Sequence, residues 1–520
     1  MSSKKMYITV IILAIIVTVT SGVFLAYTFF WRSAEELEPD FMENGQVEDY
    51  IETTPEPESE ADNPVDVTPV PEEPTETDND NTGFEHLAFY GSIQWHTLPT
   101  WDFHQVFPFN EGMAGVEYFQ DGIWESMHIL GYINTAGEIV IPIEHLHYPQ
   151  MYAYRGAPPF SQGLVAIRSE DHQAMGVFDT QGRIVVPFDY DWGWSFSEGL
   201  MAVRRGGWEQ LPGGEWDDTS VWGFIDQEGN EVIPMQFDHA VDFNNGLAAV
   251  MRDGYWGFIN TSGEVVIPFN INVVHDDGHG FLIYPRYSYG RIAVSIGGWE
   301  ENEYGHWMDN TLWGFIDSEG NQVVPFMYTM ASPFSDGLAV VRTGTHSHIG
   351  ADGEFVESTT RWGAIDVYGN VVVPFEFGGI SAFRYGASAV SGLDGTFSSA
   401  IIDRSGNFIV EPGRYHVINN FSEGMVSVNR VEGTTITGLG FLDTHGNEVI
   451  PLIFDHALEF SQGFAAVRMG SWEEGANWGI IDMDGNIVVP FVFDEIRSFS
   501  EGLAWVRYGD LWGLLKIATG

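Results

Sequence analysis

The chain is 520 residues long, 44% hydrophobic and free of cysteine, which excludes disulfides and thiolate chemistry. Its formal net charge of −53 excludes nucleic acid or an anionic membrane surface as general electrostatic partners. Cations, basic proteins and neutral polymers such as glycans are the partners such a charge admits, and solubility alone accounts for it equally well.

Residues 1–5 form a short N-terminus carrying Lys4 and Lys5, followed by an uncharged run over 6–31 that includes Ile8 to Val17. Roughly 20 apolar residues span a bilayer as a helix, so 6–31 is predicted to be a transmembrane signal anchor. The rival reading is a cleaved signal peptide, but the run is longer than an ordinary leader core and no clean A-x-A site follows. Acidic sequence follows Arg32, so the positive-inside rule puts the N-terminus in the cytoplasm and the remainder outside the cell membrane. Residues 32–82 are dominated by Pro, Glu, Thr and Asp. Such a segment buries too little apolar surface to offset its chain entropy, and its like charges repel, so it is predicted to be a disordered linker.

The domain over 83–520 is built on one repeated phrase. Trp222-Gly223-Phe224-Ile225-Asp226 is followed by a turn ending at Gly229-Asn230, then by Glu231-Val232-Ile233-Pro234, and later by Phe243-Asn244-Asn245-Gly246-Leu247-Ala248-Ala249-Val250. The phrase restarts at Trp256, Trp313, Trp362, Trp478 and Trp512, with weaker heads at Leu130, Met175, Ser399 and Leu439. The heads are 34 to 57 residues apart, the mark of a repeat array carrying loop insertions.

Each unit reads as three short strands. The Asp-x-x-Gly segment is a hairpin turn, the proline suits a strand end, and Leu-Ala-x-Val is the third strand. Phe224 and Ile225, like Val232 and Ile233, are adjacent apolar residues, so these strands are expected to be covered on both faces by neighbouring units. The predicted fold is all-β: about ten three-stranded antiparallel repeats, propeller-like or an open β-solenoid. The array opens on a half unit over 109–116 and ends on the complementary half over 512–517. Closure into one ring fits those halves, but ten units exceed the usual four to eight blades. Two smaller rings and an open superhelix stay open as alternatives.

The phrase Trp-Gly-x-Ile-Asp-x-x-Gly-x-x-Val-Ile/Val-Pro-Phe resembles the WG-repeat (KWG) family of bacterial β-repeat proteins. The resemblance covers about 107–517 and is fullest at Trp222, Trp256, Trp313, Trp362 and Trp478. It implies a tandem all-β array, often in surface or secreted proteins, without a shared activity or catalytic residues. The structural Trp set, with Trp512, is expected at unit junctions.

Chemistry-bearing candidates are few. His275, Asp277 and His279 sit together in the longest insertion and suit a metal site, although a polar loop explains them as well. His145/His147 and His346/His348 are weaker pairs. The recurrent Asp226, Asp317, Asp366, Asp443 and Asp482 read as turn formers, and no nucleotide-binding or nucleophile-elbow signature accompanies them. Aromatic insertions stand out more. Gly206-Gly207-Trp208 with Trp216 matches Gly297-Gly298-Trp299 with Trp307, and Gly470-Ser471-Trp472 is a shorter relative. Loop tryptophans offer flat faces for sugar rings or a protein partner, or they cap long hairpins by mutual packing.

The expected function is therefore a non-enzymatic, membrane-anchored extracellular binding or scaffolding protein, with no cofactor, engaging a cell-surface glycan or protein. A metal-dependent hydrolase near His275/His279 and a purely architectural spacer are the alternatives.

Overall fold

The computed structural model describes residues 89, 92–120, 127–143, 157–168, 174–210, 216–271, 286–301, 307–345, 348–349, 355–356, 359–392, 399–432, 435–470 and 477–518. The signal anchor and linker predicted over 6–82 lie outside them. Among the described residues every regular element is a strand, and no helix is long and apolar enough to cross a membrane.

The repeating element is a four-stranded antiparallel sheet, one strand more than the sequence suggests. In one sheet, His239–Ala240 pairs with Leu247–Arg252, which pairs with Tyr255–Asn260 and then Val265–Ile271. The extra strand is a two-residue edge too short to read from periodicity. The phase of the unit differs too. The Leu-Ala-x-Val strand belongs with the following Trp-Gly strand, not the preceding one: Leu247 pairs with Asn260 and Met251 with Trp256.

Trp-Gly and Ile-Pro are two sides of one bulge. Trp222 pairs with Phe237 and Phe224 with Ile233, so extra residues on the second strand loop past Gly223. A Cβ on Gly223 would lie 2.6 Å from the Ile233 carbonyl oxygen, which is why glycine follows the head. The turn before the Leu-Ala-x-Val strand, Ser-x-Gly as in Ser197-Glu198-Gly199, is a second fixed device. Glu198 and Gly199 both have positive φ, 54° and 82°, as a two-residue type I′ hairpin requires.

Ten sheets follow one another, numbered here in chain order from the one containing Met113–Gln120, and sheet 2 has three strands among the described residues. Sheets 7 and 8 share the long strand Phe408–Val417. Side chains alternate along each inner strand: Ala248 and Val250 pack on sheet 3, and Leu247 and Ala249 on sheet 5. Every junction between neighbouring sheets thus holds its own apolar cluster.

The two ends of the array meet. Leu511–Ile517 pairs with Ile93–Trp101, so the first strand completes sheet 10. Gly513 faces Thr97, Leu98 and Pro99 just as Gly223 faces Ile233 to Met235. Sheet 10 then packs on sheet 1 through Trp505, Trp512, Phe103 and Phe109. Hydrogen bonds between neighbouring turns repeat there as well. Ser288 Oγ accepts from Phe334 N at 2.8 Å, and Ser500 Oγ from Phe109 N at 2.8 Å. Glu198 accepts from Gly246 N at 2.9 Å, and Glu501 from Gly112 N at 2.8 Å. The contacts of the array therefore close on themselves.

Candidate functional site

The slot of the head tryptophan is where the units differ chemically. In sheet 3, Trp222 is 3% exposed and pairs across the strand with Arg204, whose guanidinium lies 5.9 Å from the ring. His239, the edge residue of sheet 4, stacks on the same ring with centroids 4.7 Å apart. Arg342 over Trp362 at 5.5 Å and Arg468 over Trp478 at 5.7 Å repeat the cation–π pair. In these three units an aromatic ring and a guanidinium thus share the slot.

In sheet 7 the head, its cross-strand partner and the edge residue of the same sheet are all small. Ser399 occupies the head position, as its pairing with Tyr415 shows, and Ser391 and Gly379 stand where Arg204 and Trp192 stand in sheet 3. His416 takes the place of His239 on the next sheet but has no tryptophan to stack on. A cavity of about 500 Å³ opens between sheets 7 and 8. Ser381, Ser391, Ser399, His416, Asn419, Asn420 and Glu459 are its polar lining, with Val390 and Val417 among the apolar residues. Ser399 Oγ accepts from Val417 N at 3.3 Å. Among the described residues, His416 Nδ1 is buried without a hydrogen-bond partner.

The junction of sheets 2 and 3 shows what truncating only the head does. Met175 replaces the tryptophan there, but Arg168 still lies across from it and Trp192 fills the edge position of the next sheet. The space left is about 50 Å³.

The insertions form hairpin extensions. Trp208–Gln210 pairs with Trp216–Asp218 and Trp299–Glu301 with Trp307–Asp309, placing Gln210 opposite Trp216 and Glu301 opposite Trp307. His348–Ile349 pairs with Phe355–Val356 in a third. The extensions belong to sheets 3, 5 and 6 and continue the same connection, between the two inner strands. In sheet 3, Leu200 pairs with Asp226 at one end and Arg205 with Val221 at the other. The hairpins thus leave from the strand ends opposite the Ser-x-Gly and Asp-x-x-Gly turns.

A family model described as "WG containing repeat" matches residues 131–144, 175–207, 222–256, 256–298, 313–344, 362–395, 401–431, 440–471 and 478–512, more than half of the chain. The chain belongs to the WG-repeat family. A search of curated proteins returned no match. Among solved structures, the chain is similar to a "Crystal structure of the eukaryotic initiation factor", with 12% identity, TM-score 0.38, and 69% and 92% of the two chains covered. It is also similar to "KlHsv2 with loop 6CD replaced by a Gly-Ser linker", with 9% identity, TM-score 0.22, and 78% and 94% covered.

Of the WG-repeat heads, Trp222, Trp256, Trp313, Trp478 and Trp512 are buried at sheet junctions, and Trp362 is half-buried. For Trp208, Trp216, Trp299 and Trp307 the structure describes the backbone pairing, whereas Trp472 lies outside the described residues. His275, Asp277 and His279 lie outside them too. Among the described residues, no group of three or more His, Asp or Glu is arranged to hold a metal.

The recurrent Asp residues sit in the WG-repeat turns. Asp226 Oδ1 accepts from Glu228 N at 3.0 Å and Asn230 N at 2.8 Å, and Oδ2 accepts from Asn230 Nδ2 at 2.9 Å. Burial pushes this carboxyl up, but the Asn230 amide and the backbone donors outweigh it and hold it below the usual carboxylate range. Asp242 is the opposite case, which sequence reasoning did not single out. Burial between sheets raises its carboxyl to about 7, against one backbone hydrogen bond from Ser195.

Proposed function

We propose that this WG-repeat chain is a membrane-anchored extracellular binding or scaffolding protein, with the ring as its contact module. The array is propeller-like, and the sequence over 32–82 links it to the anchor over 6–31. One observation carries the binding reading. Three long hairpins, two bearing tryptophan pairs, project from the same end of their strands on sheets 3, 5 and 6. Apolar residues of the inner strands are used up at the sheet junctions, so insertions are the parts free to vary for a partner. A cell-surface glycan or protein fits aromatic hairpins on an acidic ring better than an anionic polymer does.

The test is a pull-down of cell-envelope material with the full chain and with a Trp208→Ala/Trp299→Ala variant. Loss of the captured component in a variant with unchanged thermal unfolding supports the reading. Equal capture by both sinks the hairpins as the contact surface. Protease added to intact cells reads the topology: ring fragments released from outside agree with it, and full protection contradicts it.

A further inference from the structure

The cavity between sheets 7 and 8 rests on a different observation from the hairpins. A repeat array gains stability by filling its junctions, so an unfilled junction is destabilising. Here three small residues on separate strands, Gly379, Ser391 and Ser399, coincide around one space of about 500 Å³. Losing one bulky residue, as at Met175, leaves only about 50 Å³. Backbone geometry deepens the departure. Asp238 in sheet 4 accepts from Gly254 N at 3.2 Å, whereas sheet 7 has Gly378 at that position, and a Cβ there would meet Gly392 at 2.9 Å.

We propose that this cavity is a binding site for a small neutral polyhydroxylated molecule, a polyol or sugar of about one or two rings. Its volume falls within the range of ligand pockets, roughly 300–1,000 Å³. The lining includes no Lys or Arg among the described residues, so an anion would be desolvated without compensation. The one carboxylate, Glu459, is solvent-exposed and gives a buried cation little support. Hydroxyl, amide and imidazole groups from six further residues can both donate and accept. The orphaned His416 Nδ1 is the atom a ligand hydroxyl would satisfy.

The experiment is equilibrium dialysis of the full chain, in a detergent without a sugar headgroup, against radiolabelled glucose, N-acetylglucosamine, cellobiose and chitobiose. At least one probe should show saturable uptake at one site per chain, with glucose 6-phosphate and glucosamine competing poorly. Ser399→Trp, which restores the family residue, should abolish uptake, and His416→Phe should weaken it about tenfold or more. Trp208→Ala/Trp299→Ala should leave it unchanged, which separates this site from the hairpin reading. No saturable uptake of any of the four probes overturns the proposal, as does competition by the charged sugars equal to the neutral ones. So does uptake that survives Ser399→Trp in folded protein. If Ser399→Trp does not fold, Ser391→Arg takes its place, and uptake surviving it is equally fatal.

Discussion

Trp512 is the last head of the array, and its environment distinguishes a closed ring from an open one. In an open array it would lie at a free end, and replacing it with alanine would cost little. In the structure it is 1% exposed, packs on Trp505 with ring centroids 6.3 Å apart, and faces Phe103 and Phe109 of sheet 1 in one cluster. Its Nε1 donates to the Phe103 carbonyl at 2.9 Å in a buried bond. Trp→Ala in a packed core costs about 3–5 kcal/mol, and leaving the Phe103 carbonyl unpartnered adds about 1–3 kcal/mol. Trp512→Ala should therefore destabilise at least as much as Trp256→Ala, an internal head that is also 1% exposed. Urea unfolding of the two variants provides the comparison. Hydrogen exchange over 92–101 adds a local readout, because loss of the Trp512 contacts should expose that strand first. A cost below about 1 kcal/mol for Trp512→Ala, alongside a full-sized cost for Trp256→Ala, would refute closure.

Three further outcomes follow from the same geometry. Asp242 keeps its proton in the fold between the ordinary value of 3.8 and about 7, so stability should fall as pH rises across that window. The loss is at most about 4 kcal/mol, and Asp242→Asn should flatten the profile in urea titrations from pH 5 to 8. A profile equally steep in Asp242→Asn would discard that assignment. The turn carboxylates act with the opposite sign. Asp226, Asp317 and Asp366 are held below their usual range, so their contribution is present above the unfolded value and lost as pH falls through the folded one. Asp317→Ala should cost about 1 kcal/mol at neutral pH and less in acid, measured by thermal unfolding at several pH values. Finally, Ser399→Trp should raise the unfolding temperature by restoring a filled junction, since cavity filling is stabilising where the space already exists. A lowered temperature would mean that the slot cannot accept the ring.

Much of the fold is legible in the chain. The Trp-Gly and Ile-Pro pairs recur because each bulge needs a glycine at its close approach and tolerates a proline where no ladder N–H is required. The Asp-x-x-Gly and Ser-x-Gly turns are local devices as well, fixed by an acceptor side chain or by positive φ. The fourth strand was not legible, because two residues such as His239–Ala240 carry no periodicity. The phase of the unit was hidden for a related reason: the Leu-Ala-x-Val strand reads the same whether it pairs backwards or forwards.

Closure and the cavity needed the tertiary structure. The closing strand Ile93–Trp101 lacks the Val-Ile-Pro phrase, and its role comes only from meeting a partner some 400 residues away, an encounter no local pattern records. Ser399 was visible as a weak head, but a serine alone says only that a tryptophan is missing. The cavity depends on Ser391 and Gly379 being small beside it and on His416 reaching it from the next sheet. By itself the sequence determined the repeating unit and its turns, because those follow from backbone geometry over a few residues. Which strand completes the last sheet, and where a junction is left unfilled, depend on residues brought together from distant turns, and only the packed array decided them.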